Sequence, residues 1–148
     1  MLKAVLLISI TFLIMEAISW FLHKYIMHGA LWVIHKTHHQ PHKNVFELND
    51  LFSLFFAAIA IIFIIAGSAE LDSKFWIGWG ITLYGFSYFI FHDIIIHKRI
   101  KLLKKPGFKY FKAISKAHRD HHKSLNSKNS RSYGLFLVPK EYFREKIK

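Results

Sequence analysis

The sequence predicts an all-α integral membrane protein with about three transmembrane helices, a histidine-rich region at one membrane face and a surface amphipathic helix. Three observations lead to this fold class. The 148 residues are 53% hydrophobic, which is too apolar for a small soluble domain. The apolar residues are concentrated in three long stretches, and the basic residues lie between and after them. A chain of this length predicts a single membrane-embedded domain, residues 1–148.

Three stretches are long and apolar enough to cross a bilayer, namely residues 4–22, 51–69 and 75–96. A hydrocarbon core of about 30 Å requires roughly 20 helical residues. The third stretch contains three glycines, which permit close contact between helices in lipid. Each stretch alone would also suit a buried core helix. Three of them in so short a chain predict transmembrane helices.

The distribution of charge predicts the orientation of the spans. All Lys and Arg residues except Lys3 and Lys74 lie in residues 23–50 and 97–148, whereas the short link 67–73 is acidic. By the positive-inside rule, both basic regions face the cytoplasm and the link faces outward. The second and third spans then form an out-and-back hairpin. Since the same rule explains the net charge of +12, no nucleic-acid partner is expected.

The region after the third span has a different pattern. The spacing of Phe111, Ile114 and His118 predicts an amphipathic helix at the membrane surface. Residues 123–132 are polar and predict a loop, and residues 133–138 form a short apolar run. This region is therefore expected to lie on the membrane rather than across it.

All histidines except His42 fall into four short clusters. HxxxxH occurs at residues 23–28 and 92–97, and HxxHH occurs at residues 35–39 and 118–122. On an α-helix, the HxxHH side chains share one face and point to a common point. The step in HxxxxH rotates by about 140° on an ideal α-helix. The two histidines of that motif are therefore expected to serve different metals or to sit where a helix frays.

Ten neutral imidazoles are more than one metal ion can use, and they suit two ions with up to five ligands each. Imidazole binds Zn, Cu, Fe or Ni, so the ligand type leaves the metal open. The chain has no cysteine, HExxH or Glu-x-x-His sequence, which excludes thiolate sites, zincin proteases and carboxylate-rich di-iron bundles. It also has no glycine-rich nucleotide fingerprint, so reducing electrons must come from another protein.

Six segments carry a resemblance to a known family. At these segments the sequence resembles the bacterial non-haem di-iron β-carotene hydroxylases, within the wider fatty acid hydroxylase and sterol desaturase superfamily. The segments are HKYIMHG at 23–29, HKTHHQPH at 35–42, NDLF at 49–52, FHDIIIHKR at 91–99, KAHRDHHK at 116–123 and YGLFLVP at 133–139.

The resemblance implies an O2-dependent monooxygenase of the bacterial inner membrane, with its metal site on the cytoplasmic side. It implies hydroxylation of β-carotene at carbon 3 of the β-ionone rings, giving cryptoxanthin and zeaxanthin. It also implies two non-haem iron ions and reducing equivalents from a ferredoxin or a similar electron donor. The expected iron ligands are His23, His28, His35, His38, His39, His92, His97, His118, His121 and His122.

No catalytic side chain beyond the metal ligands is expected. Histidines bound to metal usually donate their other N–H to a carboxylate or carbonyl, so polar residues beside the motifs are candidate partners. Glu16 lies two helical turns before His23, where a carboxylate inside an apolar span is expensive. It is expected either to support a histidine or to make a polar contact between helices. The candidate partners are Glu16, Asn49, Asp50, Asp93 and Asp120.

Other functions remain open from the sequence. The same chemistry could act on a fatty acid or a sterol, by hydroxylation or desaturation, or could form a ketone on the ionone ring. A histidine-rich membrane zinc hydrolase could use the same imidazoles. A metal transporter would place its ligands near the membrane midplane, and a bis-histidine haem protein would need fewer histidines.

Overall fold

All of the regular secondary structure is helical in the residues that our computed structural model describes, which are 1–40, 46–100, 103–123 and 132–144. This agrees with the predicted all-α class. Two helices continue directly into π-helical segments, Leu22–Ala30 and Phe89–Ile96. Within these ranges the α-helices are α1 (Leu2–Phe21), α2 (Trp32–His39), α3 (Asp50–Gly67), α4 (Ser73–Tyr88), α5 (Lys109–His122) and α6 (Glu141–Arg144).

In the part of the chain that the structure describes, three helical rods are long and apolar enough to cross a membrane, namely Leu2–Ala30, Asp50–Gly67 and Ser73–Ile96. They confirm the three predicted spans, although the first rod continues well beyond residue 22. Apolar side chains cover their outer surfaces, and Ile65 on α3 remains 69% exposed. Such surfaces are stable in lipid and unfavourable in water. The protein is therefore a membrane protein.

Glycines on α4 permit its close packing between α1 and α3. A Cβ atom added to Gly78 would lie 2.9 Å from the backbone oxygen of Ala60 on α3. One added to Gly80 would lie 2.6 Å from Cβ of Thr11 on α1. Gly85, in contrast, has open space around it. The predicted use of glycine for close helix contact is therefore confirmed at Gly78 and Gly80 but not at Gly85.

A short turn joins α3 to α4 and produces the predicted hairpin. Leu71 adopts a left-handed conformation with φ of 49°. The carboxylate of Asp72 accepts hydrogen bonds from the backbone N–H groups of Lys74 and Phe75 at 2.8 and 3.4 Å. Because this N-cap satisfies two of the unpaired donors at the start of a helix, α4 begins at Ser73. The histidines lie at the opposite end of the hairpin.

Helix α5 is amphipathic, as predicted. Phe111 and Ile114 are buried, whereas Lys112 and Arg119 are exposed. The buried face packs against the π-helical segment Phe89–Ile96 and against the segment Ser132–Pro139. The larger part of the predicted polar loop, residues 124–131, lies outside the described residues.

Glu16 fastens the segment Ser132–Pro139 to the transmembrane helices. Its carboxylate accepts hydrogen bonds from the Tyr84 hydroxyl at 2.9 Å and from the backbone N–H groups of Phe136 and Leu137 at 2.9 and 2.8 Å. Irregular backbone at membrane depth needs protein partners of this kind, because lipid offers none. Gly134 allows the close approach, since an added Cβ would lie 2.9 Å from Glu16 Oε1. The predicted polar contact inside the bundle therefore exists.

We expect Gly80→Ala to destabilise the packing of α1 on α4. The new methyl group would overlap Thr11, and overpacking of this kind typically costs about 1–3 kcal/mol. Gly85→Ala on the same helix is the matched control, because nothing lies within 4 Å of its added Cβ. Thermal unfolding in detergent, followed by circular dichroism, measures the difference. Equal melting temperatures for the two variants would contradict this packing.

We expect Glu16→Ala to be strongly destabilising and Glu16→Gln to be milder. Alanine leaves two backbone N–H groups and the Tyr84 hydroxyl without their acceptor, at about 1–3 kcal/mol for each buried group. Glutamine keeps an oxygen that can accept the two N–H bonds. The same unfolding measurement tests this order, and an alanine variant as stable as the parent protein would disprove it.

Candidate metal centre

The first HxxxxH motif lies in the π-helical segment Leu22–Ala30, and the second begins in the π-helical segment Phe89–Ile96 and ends at His97 directly after it. In a π-helix the backbone hydrogen bond joins residues five apart, and the N–H of His97 donates to the carbonyl of His92 at 2.9 Å. Residues five apart are therefore stacked on one side instead of being turned by about 140° as in an α-helix. His23 and His28 consequently reach the same point, as do His92 and His97. The prediction that the two histidines of a motif serve different metals was wrong, because the π-helical turn brings both of them into one group. His97 does lie at a helix end, which was the other alternative.

The ten histidines of the four clusters form two groups, and within each group the ligand nitrogens lie within 4.8 Å of one another. These groups combine residues from the first rod, α2, the π-helical segment Phe89–Ile96 with His97 directly after it, and α5. Nearly all of the rings are buried. The first histidine group is His23, His28, His35, His39 and His121, and the second histidine group is His38, His92, His97, His118 and His122.

Each HxxHH motif contributes to both groups instead of pointing to one common point. His35 and His39, one helical turn apart on α2, belong to the first group, and His38 between them belongs to the second. On α5 the assignment is reversed, since His118 and His122 belong to the second group and His121 to the first. In each HxxHH motif, the two histidines that are four residues apart belong to the same group, and the histidine three residues after the first belongs to the other group. The two helices thus hold the two groups side by side.

The donor atoms suit metal ions. The Nε2 atoms of His23 and His35 lie 3.0 Å apart, and those of His97 and His118 lie 2.7 Å apart. Two imidazole nitrogens at right angles around one ion, each at about 2.1 Å, would lie about 3 Å apart. In the described residues, the buried Nε2 of His122 has no hydrogen-bond partner. Buried nitrogens normally have such partners, and a metal ion would supply one.

Burial keeps these imidazoles neutral, as metal ligands must be. It lowers the pKa of His35 from 6.5 to about 3 and that of His122 to about 2. The pKa values of His38, His118 and His121 are also lowered, first by burial and then by the neighbouring histidines. Protonation would place several cations in one buried volume, which is why the neutral form is favoured.

Neutral oxygen atoms accept the outer N–H groups of two histidines in the first group. The Nδ1–H of His23 donates to the backbone carbonyl of Tyr133 at 2.7 Å, and that of His35 donates to Oδ1 of Asn49 at 2.7 Å. These bonds fix the tautomer and leave Nε2 free to bind a metal. Because Glu16 anchors the segment that contains Tyr133, it supports His23 indirectly.

Carboxylates take the same role in the second group. The Nδ1–H of His38 donates to Glu47 at 2.9 Å, and that of His92 donates to Asp93 at 3.2 Å. Arg99 binds both carboxylates, at 2.8 and 3.0 Å. Glu47 and Arg99 were not among the residues predicted from the sequence. Arg99 lies two residues after an HxxxxH motif, whereas nothing in the local pattern distinguished Glu47.

The structure places the predicted partner residues in different environments. Asn49 and Asp93 bond to histidines, whereas Asp50 bonds to Arg99 at 2.9 Å. Asp120 forms an ion pair with Lys123 at 2.6 Å on the exposed side of α5. The function of all these residues stays a prediction. His42, which the sequence left unassigned, lies outside the described residues.

Comparison with known proteins gives consistent similarities. The model of the fatty acid hydroxylase family matches residues 8–142. A β-carotene hydroxylase of Pseudescherichia vulneris is 42% identical over 135 residues, covering 91% of this chain and 77% of that protein. A β-carotene hydroxylase of Pantoea ananas is 40% identical over 134 residues, covering 90% of this chain and 77% of that protein.

A plant protein is also similar, over a smaller part of its length. The chloroplastic β-carotene 3-hydroxylase of Gentiana lutea is 36% identical over 131 residues, covering 86% of this chain and 40% of that protein. No solved structure matches the chain. The similarities therefore come from sequence, and the geometry above comes from this chain alone.

We expect the metal-free protein to lose stability as the pH falls below about 6.5. Folded His35 stays neutral down to about pH 3, whereas the unfolded chain binds protons below about 6.5, so acid favours unfolding. Each such histidine contributes a slope of up to about 1.4 kcal/mol per pH unit. Chemical unfolding in detergent between pH 8 and 4 measures this slope. His35→Gln should reduce it, and a flat profile in the parent protein would contradict the expected burial.

Proposed function

The chain belongs to the fatty acid hydroxylase family, and on that premise we propose that it hydroxylates β-carotene at carbon 3 of its β-ionone rings. The products are cryptoxanthin and then zeaxanthin. The observation that carries the proposal is the pair of buried five-histidine groups, in a membrane-spanning chain similar to bacterial β-carotene hydroxylases. The whole chain, residues 1–148, acts as one domain.

Each histidine group would hold one iron ion through its ring nitrogens, since imidazole is a suitable ligand for iron. Iron bound there would supply the activation of O2 that, with two electrons from an external donor and two protons, inserts one oxygen atom into an unactivated C–H bond and releases the other as water. No protein nucleophile takes part in this chemistry. The protein's own contribution is to bind, orient and protect the reacting groups.

Hydrogen bonds from outside the two groups maintain the required geometry. Tyr133 and Asn49 fix two rings of the first group, and Glu47 and Asp93 fix two rings of the second. Leu135 packs against apolar residues of α5 and of the π-helical segment Phe89–Ile96, two elements that carry histidines of the second group. The carotenoid, which is dissolved in the bilayer, enters from the lipid around the rods.

The histidine end of the bundle faces the cytoplasm of a bacterial inner membrane. Basic side chains such as Lys36, Lys98 and Arg119 lie near the histidine motifs, whereas Glu70 and Asp72 lie in the turn at the opposite end. This charge asymmetry supports the orientation through the positive-inside rule. A ferredoxin or a similar protein donates electrons on that side. Its acidic surface complements the basic end of the chain, which includes Lys140 and Arg144.

A fatty acyl chain is the second candidate substrate, because the matched family is named for fatty acid hydroxylation. Sterols and ketone formation on the ionone ring require the same metal centre. Product analysis separates these activities. A zinc hydrolase would act without O2, so oxygen dependence separates that class.

We expect expression of the chain in β-carotene-producing bacteria to yield zeaxanthin. His35→Ala should abolish this product, since it removes a nitrogen of the first group together with the bond to Asn49. His42→Ala is the matched control, because His42 lies outside the four motifs, and it should leave the product unchanged. Pigment chromatography, with the membrane content of each variant measured alongside, reports the result.

Unchanged β-carotene, despite protein in the membrane and a competent electron donor, would disprove the carotenoid assignment. Fatty acids and sterols would then be tested with the same pair of variants.

A further inference from the structure

In each histidine group, the outer hydrogen-bond partners of two rings are described, and these partners differ in charge between the groups. In the first group, His23 and His35 donate to a backbone carbonyl and to the amide oxygen of Asn49, both of which are neutral. In the second group, His38 and His92 donate to the carboxylates of Glu47 and Asp93. The ligands are five imidazoles in both groups. The groups therefore differ in the residues that accept hydrogen bonds from the rings, and not in the type of ring.

Arg99 holds these carboxylates in position. One of its nitrogens lies 2.8 Å from Oε1 of Glu47, the same oxygen that accepts the hydrogen bond from His38. Another lies 3.0 Å from Oδ1 of Asp93, which is likewise the acceptor for His92. Two further bonds join Arg99 to the carboxylate of Asp50 at 2.9 and 3.0 Å. Three carboxylates and one guanidinium give this cluster a formal charge of −2.

The charged side chains that contact the histidines, and the arginine that binds them, are largely buried. The side chain of Glu47 is 3% exposed, that of Asp93 is 10% exposed and that of Arg99 is 11% exposed. Buried charges are screened only weakly by water and salt. Because the whole chain has only nine acidic residues, three of them around Arg99 is a strong local concentration.

A carboxylate behind a histidine strengthens metal binding in two ways. It makes the imidazole a better donor, and its negative charge attracts the cation. Loss of such a partner typically costs about 10–100-fold in metal affinity. A backbone carbonyl or an amide orients the ring but adds no charge.

We propose that the two metal sites are unequal, and that the second histidine group binds its ion more tightly, loading first and emptying last. Glu47 and Asp93 are the positioning residues that produce the difference, and Arg99 holds them in place. The inference rests on the two-ion part of the proposed function and does not depend on the substrate.

Release of Zn²⁺ tests the inference without any redox chemistry. The full chain, purified in detergent and loaded with two equivalents of Zn²⁺, is mixed with an excess of a chelator, and the metal that remains is measured over time. Release is expected in two phases of equal amplitude. Glu47→Gln should accelerate the slow phase by about 10–100-fold and leave the fast phase nearly unchanged.

Asn49→Asp is the reciprocal variant, because it gives His35 in the first group a carboxylate partner. It should slow the fast phase by a similar factor, which a merely structural role of residue 49 would not do. If Glu47→Gln fails to fold, Asn49→Asp and Asp93→Asn decide the question.

A single release phase from a chain that holds two ions would overturn the inference. The same holds for an Asn49→Asp variant with unchanged release, or a Glu47→Gln variant that accelerates only the fast phase. A chain that binds fewer than two ions would overturn both the inference and the two-ion part of the proposed function. Two-phase release with the expected variant effects, from a chain that leaves β-carotene unchanged, would support the inference and overturn only the substrate assignment.

Discussion

The convergence of ten neutral imidazoles at one end of a three-rod bundle is the constraint on which the rest of the structure depends. A buried imidazole has two nitrogens to satisfy. One points into its group, and the other needs an acceptor outside it. The acceptors come from distant parts of the chain: the Tyr133 carbonyl, the Asn49 side chain and the carboxylates of Glu47 and Asp93. Folding the centre therefore requires the rods, the loop before α3 and the segment Ser132–Pro139 to be in place together.

The bilayer explains how that last segment is held. Its backbone is irregular, and irregular backbone is stable at membrane depth only when protein groups satisfy its polar atoms. Glu16 accepts two of its N–H groups, His23 donates to one of its carbonyls, and the hydroxyl of Tyr110 donates to another at 2.6 Å. A carboxylate in an apolar span thus links the packing of the rods to the orientation of a histidine ligand.

The π-helical segments show how local geometry serves the same purpose. Both follow directly after an apolar α-helix and carry HxxxxH, so the change of helical pitch coincides with the motif in both rods. The wider turn stacks histidines five residues apart, which an α-helix cannot do. A π-helix is rarely stable by itself. Here the two rings of each HxxxxH motif lie close together, with centroids 5.1 Å apart for His23 and His28 and 4.5 Å apart for His92 and His97.

The sequence alone determined the helical class, the three spans, the amphipathic α5 and the four histidine motifs, because apolar runs and residue spacing are local properties. It also gave Asp93 and Asn49 as candidate partners of histidines, Asp93 because it lies inside a motif and Asn49 because it opens the second span. Only the tertiary structure decided how the ten rings divide, because HxxHH contributes to both groups and HxxxxH adopts a pitch that no residue pattern specifies. The ion pair between Glu47 and Arg99 also became evident only from the tertiary structure. The two residues are 52 positions apart in the sequence, and whether they come into contact depends on how the rods pack. Residue spacing along the chain carries no information about that packing.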